Sequence, residues 1–154
     1  MPERVFDKAF VAAPLERCFA IAADVRDYPS WAREVRRVDL VEQDPTGLVR
    51  VARFVAGAMG FSVTLELHYD MADAPDMFSW RGIPTGRIRR YEGSYRFEST
   101  SRDGISGTEI TYELLVDFKV PLPQIVQRRA ESMMVRRALQ SVRQVAESTT
   151  GAGG

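Results

Sequence analysis

The longest regular pattern in the chain is an apolar stripe near its end. Between residues 121 and 147, apolar side chains recur three or four positions apart, which predicts an amphipathic helix. At 1.5 Å per residue this helix is about 40 Å long. Its predicted apolar face consists of Leu122, Val126, Ala130, Met133, Met134, Ala138, Val142 and Val145. A stripe of this length requires an equally long apolar surface to cover it.

The segments before the helix supply such a surface, because they alternate between apolar and polar residues as half-buried strands do. A first strand is predicted at Val5–Val11, and Pro14 and Pro29 suit the starts of two short helices that follow it. Turns rich in Gly, Pro and Asp then separate six more predicted strands, at residues 38–41, 48–55, 61–71, 77–80, 88–98 and 109–118. The last strands have one apolar and one polar face, which predicts an antiparallel sheet with a core on one side.

The apolar face of the predicted sheet carries four tyrosines, Tyr69, Tyr91, Tyr95 and Tyr112. A buried hydroxyl normally needs a hydrogen-bond partner, and the facing helix stripe offers only apolar atoms. The partners are then backbone groups, water in a cavity, or a ligand. We therefore predict a mostly apolar ligand cavity between the sheet and the long helix. The alternative is a filled core in which the tyrosine tips reach the rim.

Four more residues complete the predicted ligand-binding set: Trp31, Trp80, Met133 and Met134. Trp31 follows a helix-breaking proline and is expected near the mouth of the cavity, whereas plain packing against the sheet is its alternative. The loop at residues 82–86 is a candidate gate, since the arginines behind it would hold a carboxylate or phenolate end of a ligand. These arginines are Arg87, Arg89 and Arg90, and an ordinary solvated loop is the alternative.

Composition excludes several classes of function. The formal net charge is zero, so the chain lacks the basic footprint of a nucleic-acid-binding protein. No stretch approaches the length of a membrane span, and the start lacks the apolar core of a signal peptide. We expect a cytoplasmic protein with at most transient membrane contact, acting as a monomer or weak dimer. One ligand-binding domain is expected over residues 1–147, followed by a disordered glycine-rich tail at 148–154.

The residues that metal and nucleophile chemistry require are scarce. With one histidine and one cysteine, the chain has no zinc-ligand spacing, and it has no glycine-rich phosphate loop. We therefore expect neither a metal nor a cofactor. His68 falls on the polar face of a strand and is expected to be solvated, while Cys18 falls on the apolar face of the first helix as a packing thiol.

Several segments resemble those of a known superfamily. They are Val11-Ala12-Ala13-Pro14-Leu15-Glu16, Asp27-Tyr28-Pro29-Ser30-Trp31, Gly93-Ser94-Tyr95-Arg96-Phe97 and Gly107-Thr108-Glu109-Ile110-Thr111-Tyr112. Over residues 5–147 the chain is similar to the START-like helix-grip superfamily (SRPBCC), and most to its bacterial polyketide cyclase/dehydrase and lipid-transport group. The resemblance implies an α+β fold, in which a curved seven-stranded antiparallel sheet wraps around a long C-terminal helix.

The expected function is binding of a hydrophobic small molecule: a lipid, an isoprenoid or an aromatic polyketide-like compound. One alternative is a polyketide aromatase/cyclase that promotes ring closure and dehydration, which requires a positioned proton donor and acceptor. Tyr91 and Tyr95, with Arg53 or Arg81 beside them, are its candidate catalytic residues. The aromatase/cyclase branch carries a tyrosine six residues after the helix-breaking proline, where this chain has Val35. A second alternative is a non-catalytic partner-binding module.

Overall fold

The computed structural model describes residues 4–58, 61–119 and 123–148. The elements in chain order are β1 Val5–Val11, α1 Leu15–Ala23, a 3₁₀ helix Val25–Ser30, β2 Val35–Gln43, β3 Val49–Ala58, β4 Phe61–Asp70, β5 Met77–Gly82, β6 Ile88–Arg102, β7 Ile105–Phe118 and α2 Gln124–Ser148. This order confirms the prediction of one strand, two short helices, six strands and a long helix. The prediction that Pro29 begins the second helix was wrong, because Pro29 lies inside the 3₁₀ helix, one residue before its end. None of the helices in these described ranges is long and apolar enough to cross a membrane.

The seven strands form one antiparallel sheet in the order β1-β7-β6-β5-β4-β3-β2. The first strand therefore pairs with the last, from Val5–Leu114 to Val11–Thr108. Strands β6 and β7 are longer than predicted and stay paired up to Arg102 and Ile105. Between them, Asp103 and Gly104 both have positive φ values, 53° and 79°. Two such residues make the tight hairpin turn whose twist matches that of long paired strands.

Helix α2 lies against β1, β7 and α1. The residues that it buries are Glu131, Val135, Leu139, Val142 and Ala146. The predicted face was therefore misplaced by about one residue, or roughly 100° around the helix. Val126 and Met133, predicted to be covered, are 47% and 50% exposed. The apolar face of the helix is thus wider than the surface that the sheet covers. Leu122, which also belongs to the predicted stripe, lies outside the described residues.

Glu131 is buried because it satisfies the backbone of β7. The Val116 amide donates to Glu131 Oε2 at 3.2 Å, and Gln127 Nε2 donates to the Val116 carbonyl at 2.8 Å. The β1–β7 ladder begins at the Val5–Leu114 pair, so Val116 lies beyond it. Two side chains one turn apart on α2 thus take the place of a neighbouring strand, and the peptide groups of Val116 stay hydrogen-bonded.

Aromatic rings fill the core beneath α1. The ring of Phe19 meets those of Phe78 and Phe97 edge-on, with centroids 5.8 and 5.9 Å apart. Phe78 is 1% exposed and also contacts Tyr95 at 5.4 Å. This end of the space between sheet and helices is therefore packed, and the open space lies toward the 3₁₀ helix and β2.

Candidate functional site

A cavity of about 160 Å³ lies between the concave face of the sheet, the 3₁₀ helix and α2. Its wall is mostly aliphatic and aromatic, and every strand from β2 to β7 contributes to it. The lining residues are Tyr28, Trp31, Ala32, Glu34, Val35, Phe54, Ala56, Leu65, Leu67, Tyr69, Trp80, Tyr91, Tyr95, Tyr112, Met134, Arg137 and Ala138. The predicted space between sheet and helix is thus present, at the end that the phenylalanines leave open.

The alternation of the strands aims these side chains inward. On β4, Leu65, Leu67 and Tyr69 are two residues apart and share one face. Tyr95 on β6 is paired directly with Tyr112 on β7, and their rings meet edge-on with centroids 4.6 Å apart. Cross-strand contacts of this kind stabilise a sheet and hold the ring orientations. The floor of the cavity is therefore a rigid aromatic surface.

Trp80 lies at the centre of that floor because its neighbour has no side chain. It pairs with Gly93 across β5 and β6, and a Cβ added at Gly93 would lie 2.6 Å from Cε2 of the indole. The glycine thus makes room for the ring, whose centroid is 5.6 Å from those of both Tyr95 and Tyr112. Trp80 Nε1 is buried and has no hydrogen-bond partner among the described residues. A buried donor in this condition is uncommon in folded proteins.

The phenols around the indole are neutral at physiological pH. Burial raises the pKa of Tyr69, Tyr95 and Tyr112 well above the ordinary value, and nearby phenols add to the effect. Burial likewise raises the pKa of Tyr91 to about 12, although a polar interaction with Tyr112 opposes it. Neutral phenols donate hydrogen bonds as well as accept them. Chemically, this end of the cavity is a group of uncharged donors within an apolar wall.

Tyr28 belongs to the same group, although its role was missed from the sequence. Its hydroxyl donates to the Ala22 carbonyl, which anchors the 3₁₀ helix to the end of α1. Its ring packs against Trp31 with centroids 4.8 Å apart, and burial raises its pKa as well. The available signal was the spacing of Tyr28 and Trp31, because aromatic residues three positions apart on a helical turn lie on the same side of it.

Glu34 and Arg137 are the charged residues of the cavity wall, within the part of the chain that the structure describes. Glu34 lies just before β2 and Arg137 lies on α2, and Arg137 Nη1 is 3.0 Å from Glu34 Oε1. The side chains are 58% exposed for Arg137 and 38% for Glu34. This ion pair therefore marks the mouth of the cavity, where the wall meets solvent.

Seven of the eight residues predicted to bind ligand line this cavity: Trp31, Tyr69, Trp80, Tyr91, Tyr95, Tyr112 and Met134. Met133 does not, because it is one residue away on the helix and therefore faces solvent. The arginines predicted to gate the cavity do not line it either. Arg89 pairs with Asp117 at 3.7 Å and Arg90 with Glu92 at 3.0 Å, on the outer face of the sheet.

The two arginines proposed to assist catalysis are also on the outer face. Arg53 lies between buried Ala52 and Phe54, and its Nη2 is 3.2 Å from Glu66 Oε1. Arg81 lines an external depression together with His68 and Glu92. The sheet separates both guanidinium groups from Tyr91 and Tyr95. A mechanism in which either arginine acts beside these phenols does not fit the structure, because successive strand residues point to opposite faces.

Solved structures share this fold over nearly their whole length. A START superfamily protein from Mycobacterium smegmatis superposes with a TM-score of 0.86 at 17% identity, covering 96% of this chain and 99% of that one. The Zhui aromatase/cyclase from Streptomyces sp. R1128 gives 0.80 at 20% identity, covering 100% and 99%. A protein from Thermus thermophilus gives 0.75 at 21% identity, covering 99% and 100%. These similarities show the helix-grip fold.

Sequence comparison assigns the family. No curated protein sequence matches the chain significantly. A family profile does match it over residues 3–147, which include every described strand and nearly all of α2. The chain belongs to the family described as polyketide cyclase/dehydrase and lipid transport.

Proposed function

We propose that the protein binds a hydrophobic small molecule carrying a neutral oxygen acceptor in the cavity between the sheet and α2. Such molecules occur in each of the expected ligand classes, which are lipids, isoprenoids and aromatic polyketide-like compounds. The observation that carries the proposal is the cavity itself, an apolar space whose wall includes the neutral phenols of Tyr69, Tyr91, Tyr95 and Tyr112. An acceptor oxygen on a ligand would receive hydrogen bonds from these phenols.

The apolar part of the wall favours a flat aromatic or unsaturated ligand. Trp31, Phe54 and Trp80 offer ring faces, and Leu65 and Leu67 cover the remaining floor. An apolar cavity of roughly 150 Å³ accepts a molecule the size of benzene. The space of about 160 Å³ therefore fits one ring without rearrangement. A longer ligand extends to the mouth, where the flexible Met134 side chain can adapt to its shape.

The polar part of the wall favours an uncharged group at the inner end. Tyr69 and Tyr95 line the cavity, and their raised pKa keeps their phenols protonated. A carboxylate placed among them would lose its hydration with no cation to compensate it. A ketone, quinone or ether oxygen loses far less and accepts hydrogen bonds from the phenols.

A polyketide aromatase/cyclase remains the second candidate. The phenols of Tyr91 and Tyr95 could polarise a ketone carbonyl, and confining a flexible poly-ketone near attack geometry accelerates closure by itself. Ring closure also needs a proton acceptor. The carboxylate of Glu34 lies in the wall, but it is at the mouth and paired with Arg137. The cavity thus favours binding over catalysis. The presence of a cavity also weakens the hypothesis of a partner-binding module, which a filled core would have favoured.

The experiment compares two neutral ligands that differ in one oxygen, 2-acetylnaphthalene and 2-ethylnaphthalene, by isothermal titration calorimetry. We expect both to bind, with the ketone at least about fivefold tighter, since a hydrogen bond contributes about 1 kcal/mol. Tyr95→Phe should reduce that ratio while its unfolding free energy stays close to that of the parent. Ser94→Ala, on the outer face of the same strand, is the matched control. If neither naphthalene binds, the proposal fails.

A further inference from the structure

The cavity has two chemically different ends. The inner end, around Trp80 and Tyr95, contains uncharged donors. The outer end contains the Arg137 guanidinium, which forms an ion pair with Glu34. Among the described residues that line the cavity, Arg137 is the cationic one. A ligand that spans the cavity therefore meets neutral donors first and a positive charge last.

The guanidinium is positioned by both sides of the mouth. On α2, Met134 lies almost one turn before Arg137 and Ala138 directly follows it, and both line the cavity. On the opposite side, the Gly57 amide donates to the Glu34 carbonyl at 2.8 Å, which fixes the Glu34 backbone to β3. The Arg137 side chain consequently links α2 to Glu34, and both residues line the cavity.

We propose that Arg137 recognises a carboxylate at the outer end of the ligand, and that the Glu34 carboxylate occupies this position until the ligand displaces it. This inference rests on the proposed function and narrows it to one class: amphipathic acids with an aromatic or unsaturated body, a neutral oxygen inside and a carboxylate at the mouth.

The exchange is feasible because it replaces one carboxylate by another. Arginine presents a planar fork of N–H donors that matches a carboxylate. The Glu34 side chain is 38% exposed, so it can turn into water without leaving a buried charge. Exposed ion pairs are weak, so competition from Glu34 lowers the affinity for acids by at most about fivefold and does not prevent binding. Glu34 thus acts as an internal competitor that sets the affinity for acids.

Neighbouring arginines do not offer the same site. Arg89 and Arg90 lie behind the β5–β6 loop and pair with Asp117 and Glu92 outside the cavity. Arg129 and Arg136 lie on the exposed side of α2 and do not line the cavity. Arg137 alone among these five faces the ligand space, which makes a single substitution decisive.

The test uses naphthalene-2-carboxylate and its methyl ester, measured by isothermal titration calorimetry at pH 7.5 on the full chain. Glu34→Gln should strengthen binding of the acid by up to about fivefold, because it removes the competing carboxylate, and should leave the ester within about twofold. Arg137→Gln should weaken binding of the acid about tenfold and spare the ester. Arg129→Gln, which removes the same charge from the same helix, is the control for long-range electrostatics.

The outcomes separate the two proposals. If Arg137→Gln and Arg129→Gln change the acid-to-ester ratio equally, Arg137 is not a recognition site. If Glu34→Gln leaves the ratio unchanged, Glu34 is not a competitor, and the exchange is overturned. If the ester binds the parent, but the acid binds the parent no more tightly than it binds Arg137→Gln, the inference fails while the proposed function stands. If neither compound binds the parent, both fail.

Discussion

Trp80 and Gly93 face each other across β5 and β6, and the indole occupies the space that any side chain at position 93 would need. The rigid floor of the cavity depends on this pair, since the indole is also in contact distance of Tyr69, Phe78, Tyr95 and Tyr112. Adding a side chain at Gly93 should therefore alter ligand binding.

Gly93→Ala should displace the indole and lower both stability and affinity. Forcing extra atoms into a packed core costs about 1–3 kcal/mol of unfolding free energy. Affinity for 2-acetylnaphthalene should fall as well, because the indole forms part of the cavity wall and moves. Urea denaturation and calorimetry measure the two effects. Gly86→Ala is the matched control, since a Cβ there meets nothing within 4 Å. Equal results for both variants would contradict the packing of Trp80 over Gly93.

Trp80→Phe should cost little stability for so large a residue. The indole Nε1 is buried without a partner among the described residues, and removing such a donor relieves a desolvation cost of about 1–3 kcal/mol. This gain offsets part of the lost ring contact, so we expect a net loss below about 1.5 kcal/mol. Phe78→Ala, in the filled part of the core, should lose about 3–5 kcal/mol. Comparable losses would indicate that Nε1 has a partner in the folded protein.

The stability of the parent should fall with rising pH relative to Glu131→Gln. Burial raises the pKa of the Glu131 carboxyl, although hydrogen bonds from Val116 and Gln127 oppose the shift. A carboxyl whose pKa is higher in the folded than in the unfolded state binds more protons when folded, so its contribution to stability is lost as pH rises through the folded pKa.

Urea denaturation between pH 4.5 and 8 should therefore show the variant gaining on the parent as pH increases. The amide oxygen of glutamine keeps an acceptor for the Val116 amide, so the variant should remain folded throughout. Glu98→Gln, at an exposed position on β6, is the control for replacing a carboxylate by an amide. A difference that is constant with pH would mean that Glu131 does not change its proton affinity on folding.

Leu139→Ala should destabilise the protein far more than Met133→Ala. Leu139 is 3% exposed against the sheet, so its truncation should cost about 2–5 kcal/mol. Met133 is 50% exposed, and a surface change of this kind should stay within about 0.5 kcal/mol. The pair measures which face of α2 the sheet covers. Similar losses of unfolding free energy for the two variants would contradict the assignment of Leu139 to the covered face of α2 and Met133 to the exposed face.

The strands and the inward tyrosines could be predicted because alternation is a geometric property of any strand. Once Tyr69 or Tyr95 is on a strand beside other apolar positions, its side of the sheet follows. The same rule places Arg53 and Arg81 outside, and the hypothesis of their catalytic role overlooked it. The rule needs no knowledge of contacts far away in the sequence.

The face of α2 and the mouth of the cavity could not be predicted in the same way. Apolar side chains cover more than half of the helix circumference near Val126 and Met133, so periodicity alone leaves its rotation open. Glu131 counts as polar in any pattern, and the β7 amide that donates a hydrogen bond to it is known only from the fold. The Glu34–Arg137 pair joins residues 103 positions apart, which no local spacing indicates.

The bonds from Gln127 and Glu131 to Val116 have a consequence for how a ligand reaches the interior. They clamp the first turns of α2 onto β7, so swinging this helix outward would break two hydrogen bonds in a buried setting. The opposite lip, residues 24–34, is joined to α2 by a solvent-exposed ion pair, and the hydroxyl of Tyr28 ties it to the end of α1. We therefore expect α2 to stay in place while a ligand enters, and the short turn that carries Tyr28 and Trp31 to move, since the Glu34 backbone is fixed to β3.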